Sequence, residues 1–156
     1  TKIKQEGKNM ELIAADKNTV IIKMNWLDEF EVILMVFAAL KKNYELADDQ
    51  LHNVSKEEIT AIQLGLEEIK QNFRQGKKSR FDSHKRMGLE VREADAQTVT
   101  LKISKTVDFP AILSVIGALL VRYDNSARET DPEIPGLTAK QLLMVEDRLD
   151  HILSLL

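Results

Sequence analysis

Two small groups of acidic and histidine side chains are the places where this sequence could hold chemistry. His52 follows Asp48 and Asp49 closely enough for the three to share a metal ion, but loosely spaced ligands of this kind are common by chance. Asp131 and Glu133 could serve as an acid and a base, yet no nucleophile accompanies them, and acids beside prolines usually favour turns. We therefore predict no metal site and no catalytic residue.

The common catalytic motifs are absent from the sequence. It contains no cysteine, and its six glycines are scattered rather than gathered in a phosphate-binding loop. It also lacks a His-Glu-x-x-His pair and a Gly-x-Ser-x-Gly elbow. These absences predict a protein that is not an enzyme and needs no cofactor.

A basic segment, residues 74–86, is the strongest charge feature of the chain. It holds six of the 22 Lys/Arg residues and a single acid, whereas the whole chain carries a net charge of −3. With Phe81 among them, these side chains could bind the phosphates of a nucleic acid, with an affinity that falls steeply as salt rises. The alternative is a solvated linker that lies against the acidic remainder of the chain. The candidate phosphate-binding residues are Arg74, Lys77, Lys78, Arg80, Lys85 and Arg86.

Length and composition are typical of a soluble globular protein. The 156 residues suffice for a self-contained core, and 44% hydrophobic with 30% charged residues is a globular balance. The longest apolar run, Phe109 to Val121, has 13 residues, and a membrane-spanning helix needs about 20. No apolar stretch of the signal-peptide type occurs near residue 1. We expect a cytoplasmic protein that does not enter a membrane.

The segments that must position these side chains occur twice in the chain, as an internal sequence repeat. Residues 10–24 align without a gap with residues 89–103, and the segments that follow align as well. We predict two ββαα repeats, residues 1–73 and 87–156, joined by the basic segment within a single domain of residues 1–156. The identical pairs in the first alignment are Glu11/Glu90, Ala15/Ala94, Asp16/Asp95, Thr19/Thr98, Val20/Val99 and Lys23/Lys102.

Each repeat begins with a predicted β-hairpin. In the first, a three-residue loop at residues 16–18 pairs residue 12 with 22 and sets Glu11 opposite Lys23, a favourable cross-strand charge pair. The same loop places Ile13 directly opposite Ile21 on the outer face, where the second hairpin is polar. This apolar pair is either covered by the preceding residues, simply tolerated, or part of a surface that binds a partner.

An apolar helix is predicted after each hairpin, and an amphipathic helix after that. Residues 32–40 are apolar without exception and residues 111–121 nearly so, and such helices must be covered on most sides. Ser55 to Glu58 and Thr138 to Gln141 are capping boxes that start the amphipathic helices. The predicted fold class is α+β, with an antiparallel sheet of four or more strands, two buried apolar helices and two outer amphipathic helices.

The second repeat has a longer connection between its helices, residues 124–136. Its two prolines and one glycine predict a loop that is neither helix nor central strand. Loops of this length are often functional. Because the first repeat has no counterpart to these residues, we regard their charged side chains as candidates for binding.

The function that this pattern favours is a non-catalytic protein-interaction or regulatory module, such as an adaptor, an inhibitor or an immunity-type protein. Its partner is an unidentified protein, and a second copy of the chain is one candidate. The alternatives are a nucleic-acid-binding module that uses residues 74–86, and a small-ligand or enzyme site in a cleft between the repeats. The candidate partner surface consists of Ile13, Ile21, Arg128, Glu129, Asp131 and Glu133.

Overall fold

The computed structural model describes residues 10–46, 51, 54–76 and 89–156. Within these ranges the chain is an α+β protein with a four-stranded antiparallel sheet, a separate two-stranded sheet and four α-helices. None of the helices in the described ranges is both long enough and apolar enough to cross a membrane. His52, Asp48 and Asp49, which were rejected as a metal site, and most of the basic segment fall outside the described residues.

The four-stranded sheet has the strand order β1-β2-β4-β3, and every neighbouring pair is antiparallel. The two central strands pair along their whole length, with Ile22 opposite Leu101. The two outer strands form the edges of the sheet. The strands are β1 (Glu11–Ala15), β2 (Thr19–Asn25), β3 (Leu89–Ala94) and β4 (Thr98–Ser104).

The predicted hairpin register is right at the open end of each hairpin and wrong near the turn. Glu11 pairs with Lys23 and Glu90 with Lys102, as the charge pattern predicts. Closer to the turn Ile21 pairs with Ala14 instead of Ile13, because a β-bulge occurs between residues 12 and 14. The second hairpin has its bulge between residues 91 and 93. Ile13 and its counterpart Arg92 therefore both lie in bulges.

The turns explain the bulges. The Asp16 carboxylate accepts hydrogen bonds from the backbone N–H groups of Asn18 and Thr19, both at 2.8 Å. The backbone N–H of Asp16 in turn donates to the Thr19 carbonyl. Asp95 closes the second turn in the same way. The first turn spans residues 16–19, one residue more than the predicted loop of residues 16–18. The pairing near the turn is therefore offset by one residue from the pairing at the open end, and the residue between the two registers forms the bulge.

Each turn is also bonded to the other hairpin. Trp26 donates its backbone N–H to the Gln97 carbonyl and its indole N–H to the Asp95 carbonyl, the latter at 2.7 Å. Lys105 donates its backbone N–H to Asn18 and its ammonium group to the Asp16 carbonyl, the latter at 3.2 Å. These bonds join the two hairpins beyond the β2–β4 ladder.

The four helices begin close to the predicted positions, but the third continues to Ser126, beyond the apolar stretch 111–121 that predicted it. A single π-helical turn, Trp26–Phe30, leads from β2 into the first helix. Both predicted capping boxes are present, at Ser55 with Glu58 and at Thr138 with Gln141. The helices are α1 (Glu31–Lys42), α2 (Lys56–Arg74), α3 (Asp108–Ser126) and α4 (Ala139–Ser154).

One face of the central strands carries fully or almost fully buried apolar side chains, with Ile22 and Val99 at 0% exposure. The helices add buried apolar residues to the same cluster, among them Phe37 of α1 and Leu119 of α3. The Trp26 ring stacks on Phe73 at the end of α2, with ring centroids 4.8 Å apart. The core therefore draws on both hairpins and all four helices.

The prediction of an irregular loop at residues 124–136 is wrong. Helix α3 continues to Ser126 and ends at Ala127, which adopts a left-handed conformation with φ of 56°. A small hairpin follows, with strands β5 (Thr130–Asp131) and β6 (Ile134–Thr138). Asp131 and Pro132 begin its turn, where an aspartate followed by proline favours a tight reversal. Pro132 thus lies in the hairpin turn, and Pro135 lies within β6 without preventing its pairing with β5.

Candidate functional site

The two charged groups proposed from the sequence are mostly beyond the described residues. His52, Asp48 and Asp49 lie outside them, as do the five basic residues from Lys77 to Arg86. Arg74 lies in the last turn of α2 and is exposed. Across the described ranges, no three His, Asp or Glu side chains are placed to share a metal ion.

Ile13 is the most exposed residue of the candidate apolar pair. It lies in the bulge of the edge strand β1, and 49% of its surface is exposed. Ile21 is half-buried in β2, between Ala14 and Lys102. In β1 only Leu12 is partly buried, and the other four residues are exposed. The β1 edge therefore presents backbone and an apolar side chain together.

The buried Asp131 side chain links the β5–β6 hairpin to Arg122 of α3. Its carboxylate accepts from Arg122 Nε at 2.5 Å and from Arg122 Nη2 at 3.3 Å, and also from the backbone N–H of Glu133 at 2.9 Å. The hydrogen bond from Arg122 is the main reason why the pKa of Asp131 lies below its ordinary value. Asp131 is only 6% exposed, whereas the other candidate residues of this hairpin, Arg128, Glu129 and Glu133, are exposed.

We expect the substitution Asp131→Asn to lower the free energy of unfolding by about 1 kcal/mol, because the pair is lost but Arg122 is a third exposed and solvent screens it. The lowered pKa stabilises the fold above the ordinary value of 3.8, and this contribution is lost as the pH falls through the lowered pKa. Denaturant unfolding should therefore show the difference at pH 7, and the difference should disappear once the pH has fallen below the lowered pKa. Glu133→Gln, an exposed control, should change nothing, and equal losses in both variants would contradict the assignment.

The two tyrosines that end the apolar helices make matching hydrogen bonds. The Tyr44 hydroxyl donates to the Val54 carbonyl at 2.7 Å, and the Tyr123 hydroxyl donates to the Leu137 carbonyl at 2.8 Å. Each acceptor immediately precedes a capping box. Burial raises the pKa of Tyr123 to about 12, so the hydroxyl keeps its proton at neutral pH. Both tyrosines hold the connection to the next helix and present no reactive oxygen.

The most elaborate polar cluster of the described chain surrounds Glu29, which is 0% exposed. One carboxylate oxygen accepts from the backbone N–H of Asn25 at 2.8 Å. The other accepts from the backbone N–H of Met10 at 2.8 Å and from Arg148 Nη1 at 2.7 Å. Burial raises the pKa of Glu29, and these hydrogen bonds oppose that shift. The cluster thus ties α4 to both strands of the first hairpin.

Asp108 occupies the position that aligns with Glu29, 79 residues later, and its surroundings are different. It is also 0% exposed, but neither of its carboxylate oxygens has a hydrogen-bond partner. Burial, together with the negative charge of Glu58, raises the pKa of Asp108 to about 7. The residue aligned with Arg148 is Gly65, so the equivalent of that guanidinium is missing here. Within the described part of the chain, Asp108 is therefore a buried acid with no hydrogen-bonded counterion.

This pair of buried acids, Glu29 and Asp108, was not predicted from the sequence. The signal that could have revealed them is the alignment itself, since acids at the same position of two matched segments invite a search for matched cations. Arg148 aligns with a glycine, and that mismatch is visible without coordinates.

An open cavity of about 470 Å³ lies on the exposed side of α2. It is lined by Lys56, Glu57, Thr60, Ala61 and Leu64. Between the two halves, the central strands and the helices α1 and α3 carry side chains that are at most 1% exposed. They are Ile22, Leu101, Val36 and Ile116. Among the described residues, the cavity is therefore found on a helix surface and not at the predicted cleft between the two halves.

No protein-family model matches the chain, and comparisons with curated proteins and with solved structures find no match.

Proposed function

We propose that the chain is a duplicated ββαα unit with a pseudo-twofold axis, and that it works as a non-catalytic protein-interaction module. The duplication is supported by matched bonds. Ile22 pairs with its own aligned residue, Leu101, as a twofold axis between the central strands requires. The tyrosine hydrogen bonds, the aspartate turns and the capping boxes also recur at aligned positions.

The single observation that carries the interaction proposal is the contrast between the two edges of the sheet. Each edge strand has a bulge at the aligned position, and the bulged residue is Arg92 at one edge and Ile13 at the other. Proteins protect exposed strand edges with bulges and with charged side chains. The β3 edge has both forms of protection, whereas the β1 edge has a half-exposed isoleucine in place of the charge.

An edge of this kind suits a partner that adds a strand. The backbone of the added segment would bond to the outer side of β1, which has no neighbouring strand among the described residues, and alternate side chains would select the partner. Ile13 would lose its 49% exposure on binding and contribute the apolar part of the contact. The exposed charges of the β5–β6 hairpin, at Arg128, Glu129 and Glu133, are a second surface on which a partner could be selected.

The substitution Ile13→Arg tests the proposal, because it installs at the first edge the residue that the second edge already carries. A photo-crosslinking amino acid at position 13, used in the native host, should attach the partner and allow its identification by mass spectrometry. The same probe at position 92 is the matched control. We expect Ile13→Arg to weaken binding of that partner by at least about tenfold, as expected for the loss of a buried isoleucine contact, with an unchanged unfolding midpoint.

Two results would contradict the proposal. One is a crosslinking pattern that is the same from positions 13 and 92. The other is full affinity in the Ile13→Arg variant. If the crosslinked partner is a second copy of the chain, sedimentation equilibrium should show a dimer that Ile13→Arg dissociates.

A further inference from the structure

Two acids hold aligned positions in the fold, and only one has partners. Glu29 accepts three hydrogen bonds, one of them from the Arg148 guanidinium at 2.7 Å. Asp108 accepts none, although it is just as deeply buried. A charged carboxylate in an apolar site without a counterion is strongly disfavoured. Glu29 is therefore stabilised as a charged carboxylate, whereas Asp108 is favoured in its site only when it carries a proton.

Local packing explains why Asp108 has no counterion. The alignment places Gly65 of α2 where α4 has Arg148. A Cβ atom at Gly65 would lie 3.3 Å from Leu89 Cδ2, so α2 approaches the start of β3 closely at this glycine. A longer side chain there would require Leu89, which is 2% exposed, to shift by a few tenths of an ångström. The close approach of α2 to β3 thus disfavours a cation at the position that aligns with Arg148.

The charged groups that the structure describes on the neighbouring elements do not supply a cation. From α2 the charge that acts on Asp108 is Glu58, an acid that raises its pKa further. On the β4 side the Lys105 ammonium donates to the Asp16 carbonyl. The residue that β3 brings to this contact is the apolar Leu89. The first turn of α3 continues from Asp108 with Phe109, Pro110 and Ala111, which are uncharged.

One acid of α1, Glu31, and one cation of α4, Arg148, are paired elsewhere. Lys70 of α2 pairs with Glu31 of α1 at 2.7 Å, and Arg148 of α4 pairs with Glu29. The nearest group of α4 to the middle of α3 is Glu146, whose carboxylate lies 3.8 Å from the Cβ position of Gly117. That contact is more than two helical turns along α3 from Asp108.

We propose that Asp108 is a proton-binding site that controls how firmly α2 and the first turn of α3 dock against the edge strand β3. With its proton, the Asp108 carboxyl is neutral and tolerates the apolar contact between Gly65 and Leu89. Without the proton, the carboxylate requires water, and water reaches it only when this contact opens. The proton is therefore the ligand of the site, and loss of the proton leads to opening.

The direction of the effect follows from the pKa values. The pKa of Asp108 is about 7 in the closed form and returns toward its ordinary value of 3.8 in an opened, solvated form. The closed form therefore holds the proton more tightly than the open form between these values. Opening becomes more frequent as the pH rises from about 4 to about 7, and does not change further above that range. The full difference corresponds to a roughly thousandfold change in the opening equilibrium.

Proton binding at Asp108 also affects the C-terminal end of α2. This helix ends at Arg74, where the basic segment 74–86 begins. A change in the docking of α2 therefore moves the start of that segment relative to β3. The β1 edge, which we propose as the partner surface, is at the opposite side of the sheet.

Hydrogen exchange of the full chain between pH 5 and pH 8.5 tests the proposal. After correction for the intrinsic pH dependence of exchange, amides of α2 and β3 should lose protection by at least about tenfold as the pH rises from 5 to 7, and protection should level off above 7. The carboxyl carbon of Asp108, followed by NMR, should titrate with a midpoint near 7. Asp95, whose pKa is lowered by the N–H groups of Thr98 and Gln97, is the internal control and should titrate below 3.8.

Three variants make the test specific. Asp108→Asn and Asp108→Ala should both remove the pH dependence of protection, and one of them suffices if the other does not fold. Glu58→Gln should lower the titration midpoint of Asp108, because it removes the neighbouring charge. It should also keep the helix cap, since Gln141 fills the same role in the other capping box.

The proposal is overturned by any of three results. The first is protection of α2 and β3 that does not change between pH 5 and pH 8.5. The second is the same change in protection in the Asp108 variants as in the wild type. The third is a midpoint of Asp108 that stays near its ordinary value or that Glu58→Gln moves upward.

Discussion

Replacing Arg148 by methionine should lower the free energy of unfolding by about 3–5 kcal/mol at pH 8, because it leaves Glu29 as a buried charge without its partner. The guanidinium lies 2.7 Å from the Glu29 carboxylate, whose side chain is 0% exposed, and Arg148 itself is only a quarter exposed. Methionine keeps most of the aliphatic volume of arginine, so the loss reports the charge and not a cavity. Chemical denaturation followed by circular dichroism measures the change.

The pH dependence of this variant separates the charge from the packing. The pKa of Glu29 is already raised by burial, and removing Arg148 raises it further. A raised pKa in the folded state means that the cost is small near pH 4.5 and grows as the pH rises. The double variant Glu29→Gln with Arg148→Met should recover part of the loss, because no charge is then buried. A loss below ~1 kcal/mol at pH 8 in the single variant would contradict the assigned role.

Replacing Leu101 by alanine should lower the free energy of unfolding by about 2–5 kcal/mol while the protein still unfolds in one transition. Leu101 is 1% exposed and lies opposite Ile22 in the middle of the sheet. The substitution is in the second hairpin, whereas the single tryptophan, Trp26, follows the first. If the two hairpins share one core, tryptophan fluorescence and far-ultraviolet circular dichroism should lose signal at the same denaturant concentration.

The control for this prediction is Leu27→Ala. Leu27 is 78% exposed, and substitutions at such positions usually change stability by less than about 0.5 kcal/mol. Separate transitions in the Leu101→Ala variant, with the fluorescence change unaffected, would mean that the first half folds without the second. The single-domain organisation would then be wrong, and the Ile22–Leu101 pairing would be only a contact between two independent units.

Much of the secondary structure was predictable because its signals are local. Ser55 with Glu58, and Thr138 with Gln141, start helices through hydrogen bonds that span three residues, and the structure has both. Glu11 opposite Lys23 is likewise a short-range feature of one hairpin, and it was predicted correctly. The bulge at Ile13 was missed, because it depends on how the Asp16 side chain closes the turn. Residue types alone do not distinguish that turn from a shorter one.

The candidate sites were less predictable, since they depend on contacts between distant parts of the chain. Asp131 looked like an exposed acid of a loop, but its bonds to Arg122 make it an internal support. Glu29 and Arg148 are 119 residues apart, and nothing in the local sequence of either one indicates the other. Asp108 lacks a hydrogen-bond partner because of how three elements, α2, α3 and β3, pack together.

The amino-acid sequence by itself determined most of the strands and helices and which of their side chains are apolar, because periodicity and capping act within a few residues. The β5–β6 hairpin is the exception. The tertiary structure alone decided which buried acid receives a cation. Glu29 meets Arg148 because α4 brings the arginine to the first hairpin, whereas Gly65 lets α2 pack closely on Leu89 and leaves Asp108 unpaired. Such an outcome depends on how closely the elements approach each other, and distances of a few ångströms are not encoded in any single segment.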